Sequence, residues 1–188
     1  MSTGKDLTGK PIYSITNGQK LGSVKDIYLN DDLSEMIGLY LGTEGIIKRK
    51  TLAIAQDNVS VLGVDAILVK NAEVVVDDKD MSEIKGWLRL DKLQGREVDT
   101  PGGTKVGTIG DVIVDEAGMI TGYVLGRVLM EGPIAERRSI SRDVVIDPGD
   151  GDDSMTIDLS KAEGDAAPEA PEAVAAVDEA PESSAGFG

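Results

Sequence analysis

The stretch from Leu7 to Leu41 decides the fold, because a second copy of it returns at Leu93 to Leu125. The first copy reads LTGKPIYSITNGQKLGSVKDIYLNDDLSEMIGLYL, and the second reads LQGREVDTPGGTKVGTIGDVIVDEAGMITGYVL. Three residue pairs fix the alignment at offsets of 86, 85 and 84 residues: Gly9 with Gly95, Asp26 with Asp111, and Gly38 with Gly122. An offset that drifts by only two residues indicates a duplicated structural unit.

Both copies predict short, strongly bent β-strands. Apolar residues alternate with polar ones along each copy, and turn signals such as Asn17-Gly18 separate the alternating runs. The alternation changes phase near Asp26 in the first copy and at Gly110-Asp111 in the second. A phase change at the same place in both copies predicts a β-bulge, which bends a strand as a small barrel requires.

The repeat and the composition together predict an all-β protein of two tandem small β-barrels followed by an acidic disordered tail. The predicted bounds are 5–77 for repeat 1, 78–90 for a linker, 91–159 for repeat 2 and 160–188 for the tail. The tail is rich in Ala, Pro and Glu and has almost no apolar residue larger than Val. It therefore buries too little surface to offset the entropy lost on ordering.

The charge and the missing residue types exclude several functions. The chain has 19 basic and 34 acidic residues, a net charge of −15, and neither Cys nor His. An acidic body disfavours broad adhesion to nucleic acid or anionic lipid, although a local basic patch can override it. The absence of Cys and His excludes thiol chemistry, the usual zinc sites and His-based acid–base catalysis.

No stretch is apolar and long enough for a signal peptide or a membrane span. We therefore expect a cytoplasmic protein that is not an enzyme and that holds no metal or cofactor.

Three short motifs, found twice in the same order, resemble the PRC-barrel family. Each repeat has L-x-G near its start, G-x-[VI]-x-D in its middle and a strand centred on glycine after it. In repeat 1 these are Leu7-Thr8-Gly9, Gly22-Ser23-Val24-Lys25-Asp26 and Ile37-Gly38-Leu39. In repeat 2 they are Leu93-Gln94-Gly95, Gly107-Thr108-Ile109-Gly110-Asp111 and Thr121-Gly122-Tyr123. No single motif is specific; their order carries the resemblance, which covers about residues 5–159.

The resemblance implies a small all-β barrel that docks on other proteins. The family occurs in the cytoplasmic H subunit of purple-bacterial photosynthetic reaction centres, in the ribosome maturation factor that binds a small-subunit ribosomal protein, and in some archaeal division proteins. This sequence departs from the H subunit in lacking its N-terminal membrane helix. It departs from the maturation factor in having a second PRC-like unit where that protein has a different domain. Neither role therefore carries over residue by residue.

Two basic clusters are the candidate partner-binding residues. They stand at similar places in the two repeats: Lys48, Arg49 and Lys50 in repeat 1, and Arg137 and Arg138 in repeat 2. One interpretation is loop charge that keeps strand edges soluble. The other is a contact for an acidic protein, a lipid head group or RNA phosphate. RNA is the least favoured, because one Trp, one Phe and four Tyr offer few surfaces for base stacking.

Two sets of acidic residues could form a catalytic pair or a calcium site, but their positions in the sequence disfavour both. Asp26 and Asp111 could form a catalytic carboxylate pair, but equivalent positions in two units meet only in a two-fold arrangement. We expect each to accept backbone N–H bonds at its own bulge instead. The run Asp147–Asp153 fails the spacing of an EF-hand calcium loop, which favours a solvated hairpin loop.

Two aromatic residues stand outside the repeated pattern. Trp87, in the linker, is expected to pack the two repeats together, and the alternative is a partner-facing anchor. Phe187, near the end of the tail, is either incidental or the anchor of a short linear motif. Structural roles are expected for the repeated glycines: Gly9, Gly38, Gly95 and Gly122.

The sequence therefore predicts a non-catalytic adaptor or scaffold for other proteins. A place at the cytoplasmic side of a membrane complex is left open and rests on the family resemblance alone. Two alternatives follow from the family resemblance. One is a ribosome-maturation-like factor that binds RNA or a ribosomal protein. The other is a reaction-centre H-subunit-like accessory or an archaeal-type division component.

Overall fold

The computed structural model describes residues 1–81 and 87–164. In repeat 1 the elements are β1 Ser2–Thr3, α1 Gly4–Leu7, β2 Pro11–Ser14, β3 Lys20–Ser23, β4 Asp26–Leu29, β5 Met36–Glu44, β6 Lys50–Ala55, β7 Val59–Leu62, β8 Ile67–Val69 and β9 Val76–Asp77. In repeat 2 they are β10 Leu88–Arg89, α2 Leu90–Leu93, β11 Glu97–Asp99, β12 Lys105–Val114, β13 Ile120–Val128, α3 Pro133–Arg137, β14 Ser139–Ser141, β15 Val145–Asp147, β16 Met155–Ile157 and α4 Leu159–Gly164. The longest of these helices has six residues, so the all-β prediction is confirmed.

The strands form open sheets rather than closed barrels. Repeat 1 contains a sheet of order β3-β2-β8-β7 and a second sheet of order β10-β4-β5-β6-β9, to which repeat 2 contributes β10. Repeat 2 contains one path of order β14-β13-β12-β11-β16-β15, with β1 paired to β12 beside it. The predicted closure is wrong because most strands have only two to four residues, so their ladders end before the two edges of a sheet can meet.

The two repeats share the same backbone hydrogen bonds at the predicted offsets. The N–H of Gly9 donates to the carbonyl of Val24 at 2.8 Å, and the N–H of Gly95 donates to the carbonyl of Ile109 at 2.8 Å. Both glycines have φ of +90°, a conformation that disfavours any residue with a Cβ. The duplicated L-x-G motif therefore marks one and the same turn after a short helix.

The predicted bulge is present in repeat 2 and becomes a break in repeat 1. Strand β12 runs on through Gly110, with register shifts on both sides of Ile109. At the equivalent place in repeat 1 the strand stops at Ser23 and resumes at Asp26. The bulge in β12 and the break between β3 and β4 both allow the chain to bend at this place.

The first strand of each repeat pairs with the other repeat. Strand β1 lies antiparallel to the end of β12, with Ser2 opposite Val114. Strand β10 lies antiparallel to β4, with Leu88 opposite Leu29. We call residues 2–7 and 88–93 the arms. Each arm leaves its own repeat and adds a strand and a helical turn to its neighbour.

The turns between β4 and β5 and between β12 and β13 also meet. The N–H of Met36 donates to the carbonyl of Gly118 at 2.8 Å, and the N–H of Ile120 donates to the carbonyl of Ser34 at 2.9 Å. The buried hydroxyl of Tyr123 donates to the carbonyl of Leu33 at 2.6 Å. Buried apolar residues of both repeats form one continuous cluster, so the repeats share a core.

The predicted linker and tail differ in part from the observed elements. Strand β10 lies within the stretch 78–90 that the sequence assigns to the linker. Helix α4 extends to Gly164, and Ala162 within it is buried, so regular structure continues five residues past Leu159. The rest of the predicted tail, including Phe187, lies outside the described residues, as do residues 82–86.

Candidate binding cleft between the repeats

The two repeated aspartates occupy reciprocal positions at the junction of the repeats. Each carboxylate accepts an N–H of its own strand at 2.8 Å, Asp26 from Ile27 and Asp111 from Val112. Each also accepts an N–H from the arm of the other repeat. The N–H of Lys5 donates to Asp111 at 3.0 Å, and that of Asp91 donates to Asp26 at 3.3 Å.

The sequence predicts the bond within each repeat but not the bond between repeats. The two-fold arrangement that the sequence analysis sets aside is therefore present, and it fastens the arms. The capping of α1 supports this geometry. Thr3 accepts from the N–H of Asp6 at 3.1 Å, and Asp6 accepts from the N–H of Thr3 at 2.9 Å. This capping box fixes the start of the first arm, so that the N–H of Lys5 points outward to Asp111.

Burial raises the pKa of both carboxyl groups above the ordinary aspartate value. The backbone N–H donors oppose this increase, because they stabilise the charged form. The negative charge of nearby Asp91 raises the pKa of Asp26 further, whereas Arg89 lowers it.

An open cleft with a volume of about 1440 Å³ lies over this junction. Residues of both repeats line it: Thr3, Lys5, Asp6, Thr8, Lys25, Asp26, Tyr40, Arg89, Leu90, Asp91, Gln94, Gly110, Asp111, Val124, Arg137 and Arg138. The lining includes five basic and four acidic side chains from the two repeats. Both repeated aspartates are therefore within one cleft.

Aromatic and cationic side chains fix the second arm against repeat 1. The guanidinium of Arg89 lies 4.5 Å from the centre of the Tyr40 ring and forms an ion pair with Asp91 at 3.5 Å. Trp87 meets the buried Tyr28 edge to face, with 4.5 Å between ring centres. Trp87 thus lies where repeat 2 begins to pack on repeat 1.

The two basic clusters lie in different surroundings. Arg137 and Arg138 end α3 and line the cleft. Their guanidinium groups donate to backbone carbonyls, Arg137 to Ala162 and Arg138 to Gly126. Lys48, Arg49 and Lys50 lie in the turn between β5 and β6 and at the start of β6, and all three are exposed. The similar sequence positions therefore give one cluster in the cleft and one at a free hairpin end.

Gly38 and Gly122 occupy equivalent positions in the central strands β5 and β13. A Cβ on Gly38 would lie 2.8 Å from the carbonyl oxygen of Ile54. Gly122 is buried, opposite Ile113 on one side and Ser141 on the other. The repeated glycine allows neighbouring strands to approach closely.

The acidic loop Asp147–Asp153 is built around an arginine. The guanidinium of Arg96 donates to the carbonyls of Pro148 at 2.8 Å, Gly149 at 3.2 Å and Gly151 at 2.9 Å. Burial lowers the pKa of Arg96, and Asp150 and Asp153 oppose that shift. The loop is therefore not simply solvated, because Arg96 donates hydrogen bonds to three of its carbonyl oxygens.

Repeat 1 has a similar contact with one hydrogen bond instead of three. The Lys10 ammonium donates to the carbonyl of Gly63 at 2.8 Å. The signal was visible in the sequence, because Gly9-Lys10 and Gly95-Arg96 place a cation after the same glycine. Neither Lys10 nor Arg96 is among the residues predicted above to have a role.

In residues 1–81 and 87–164, no helix is long and apolar enough to cross a membrane. Nor do the described side chains include a group of three or more His, Cys, Asp or Glu that could hold a metal ion.

Fold and cleft define an all-β protein made of two interlocked repeats around a charged cleft. The PRC-barrel domain model matches residues 1–76, which is repeat 1. The chain is 33% identical over 69 residues to the probable sporulation protein YlmC of Bacillus subtilis (strain 168). That match covers 85% of the relative and 34% of this chain. The chain belongs to the PRC-barrel family.

Proposed function

We propose that this protein is a non-catalytic adaptor that binds other proteins in the cleft between its repeats. The observation that carries the proposal is the lining of the cleft, which draws charged side chains of both signs from both repeats. Its volume of about 1440 Å³ exceeds the range of about 300 to 1,000 Å³ that is common for small-molecule pockets. An open cleft of this size accommodates a segment of another protein.

The state of the two aspartates supports a binding role over catalysis. Both carboxylates accept backbone N–H bonds from two chain segments. A general acid or base must exchange its proton with a substrate, and these groups are instead occupied in holding the arms. The chain also has no His or Cys.

The exposed cations of the cleft indicate the chemistry of the partner. Lys5, Lys25 and Arg138 are exposed on the lining, where the exposed acids are Asp6 and Asp91. Asp26 and Asp111 are buried, so the exposed cations outnumber the exposed acids. An acidic segment of a cytoplasmic protein, or of a membrane complex reached from the cytoplasm, complements this surface. RNA binding and the reaction-centre or division roles stay predictions of the family resemblance.

The test compares capture of partners by two double variants with that by the unchanged chain. Lys5→Glu/Lys25→Glu reverses two exposed cations in the cleft. Lys70→Glu/Lys79→Glu makes the same change in charge at exposed positions that are not part of the lining. Affinity capture from cells of the source organism, read by quantitative mass spectrometry, should lose its specific proteins only with the cleft variant. Equal recovery with both variants would rule out the cleft as the binding surface.

A further inference from the structure

The hairpin between β5 and β6 ends in two exposed isoleucines. Ile46 is 99% exposed and Ile47 is 96% exposed, the highest values among the large apolar residues described. Soluble proteins seldom place two adjacent large aliphatic side chains fully in water, and such pairs mark interaction sites. We call residues 45–50 the hairpin tip.

The hairpin tip stands away from the rest of the molecule. Leu41 is the last buried residue of β5, and residues 43–50 are all exposed. Strands β5 and β6 nevertheless stay paired as far as Glu44 and Lys50. The paired strands thus run past the last buried residue, and the turn of residues 45–49 joins them beyond it.

Three cations follow directly on the isoleucines. Glu44 lies opposite Lys50 in the register, which leaves the charges of Lys48 and Arg49 unbalanced at the end of the hairpin. Within the described ranges these two side chains form no ion pair. The tip is thus apolar at its apex and basic beside it, in a chain whose net charge is −15.

We propose that the hairpin tip inserts Ile46 and Ile47 into the surface of an anionic lipid membrane, with Lys48 and Arg49 at the head groups. Aliphatic side chains at the acyl boundary and cations among anionic head groups are the two terms that bind proteins to membrane surfaces. The inference does not depend on the cleft or on its proposed protein partner.

Charge and shape favour a membrane over a protein groove. The acidic body is repelled by anionic lipid, but this repulsion is screened over a Debye length of roughly 10 Å at 0.1 M salt. The exposed cations of the tip lie at the end of the hairpin, where they meet the head groups before the body does. The tip also presents its two apolar side chains at an apex, which suits insertion from one direction.

Sedimentation with vesicles tests the proposal on the full chain. Phosphatidylcholine vesicles are compared with vesicles that also contain phosphatidylglycerol. Binding should appear only with the anionic lipid and should weaken as salt is added. Ile46→Ser/Ile47→Ser should lower the partition coefficient roughly tenfold or more. Lys48→Gln/Arg49→Gln should lower it by a similar factor.

Val64→Ser is the matched control. Val64 is 87% exposed at the turn between β7 and β8, where Asp65 follows it instead of a basic run. Its substitution should leave the partition coefficient unchanged. All these positions are exposed, so circular dichroism should show unaltered folding.

Insertion itself is measured with Ile47→Trp. Fluorescence of the new tryptophan should shift to the blue on binding and should be quenched by lipids with brominated acyl chains, above the background from Trp87. The absence of vesicle binding by the full chain would overturn the proposal, as expected if another protein or the acidic tail covers the tip. Self-association abolished by Ile46→Ser/Ile47→Ser would overturn it in favour of a second copy. Vesicle binding that is unchanged in Ile46→Ser/Ile47→Ser, or that is equal with and without phosphatidylglycerol, would also overturn it.

Discussion

The two repeats share a backbone scaffold and differ at the connection that follows β5 in repeat 1 and β13 in repeat 2. In repeat 1 this hairpin is a free tip with Ile46 and Ile47 in water. In repeat 2 the equivalent connection forms α3, whose Ile134 is fully buried. Arg137 of α3 donates to the carbonyl of Ala162 in α4. Duplication therefore preserved the strands and left the connections free to acquire different surfaces.

A second difference concerns one backbone position with positive φ. Gly118 in repeat 2 has φ of +88°, and its equivalent in repeat 1 is Leu33 with φ of +57°. Leu33 is fully buried and its carbonyl accepts from Tyr123 of the other repeat. Burial and this hydrogen bond offset the strain of a leucine there. The comparison shows that one repeat can hold the other in a conformation that its own sequence disfavours.

Separating the two repeats should have the largest effect on folding. Residues 1–81 alone lose the second arm, with Leu90 and Leu93, which together contribute roughly 3 to 6 kcal/mol of burial. They also expose the edge of β4. We expect this fragment either to be unfolded or to dimerise by exchanging its own arms. Light scattering with size-exclusion chromatography and circular dichroism distinguish these states, and a stable folded monomer would contradict the prediction.

The cations that follow the repeated glycines should contribute different amounts to stability in the two repeats. Arg96→Ala removes a buried guanidinium from three carbonyls and should lower the free energy of unfolding by about 2 to 3 kcal/mol. Lys10→Ala removes one bond from a partly exposed ammonium and should cost about 1 kcal/mol or less. Urea denaturation measures both changes.

Arg96→Lys is the control for charge alone. It keeps the cation but not the fork of donors that reaches several carbonyls, so it should fall between the other two variants. Equal costs for Arg96→Ala and Lys10→Ala would show that the acidic loop does not depend on its arginine.

The smallest expected effect is the pH dependence from the two aspartates. Their pKa values are raised above 3.8 in the folded state, so the folded state binds more protons than the unfolded chain just above that pH. The free energy of unfolding should therefore decrease as the pH rises from about 3.8 through the raised pKa values. Asp26→Asn/Asp111→Asn should remove this decrease, which denaturation at several pH values measures.

Asp91→Asn separates the two repeats in the same experiment. Asp91 raises the pKa of Asp26 and is not among the causes that act on Asp111. Carboxyl chemical shifts followed by NMR should show a lower pKa for Asp26 and an unchanged pKa for Asp111. Equal shifts in both groups would mean that the variant disturbs the whole junction.

Much of the fold could be predicted from the sequence, because local signals were repeated. The turn at Gly9 and Gly95 and the bulge beside Asp111 depend on residues a few positions apart. The exchange of arms could not be predicted, since β1 and β10 have two residues each and carry no periodicity. Their pairing depends on contacts between the repeats.

The cleft was missed for the same reason. The sequence indicates that Asp26 and Asp111 accept backbone N–H bonds, but it does not indicate that one donor comes from the other repeat. The basic clusters illustrate a further limit, because similar places in the two repeats led Arg138 into the cleft and Arg49 to a hairpin end. A connection can change its path without changing its place in the alignment.

The exchanged arms also have a consequence during protein synthesis. Thr3 leaves the ribosome before its partner Ile113, which is made 110 residues later. At about 5 to 20 residues per second, the first arm waits on the order of 5 to 20 s for its strand. Repeat 1 cannot complete its structure before repeat 2 emerges, so the two halves of the chain finish folding together although one is made well before the other.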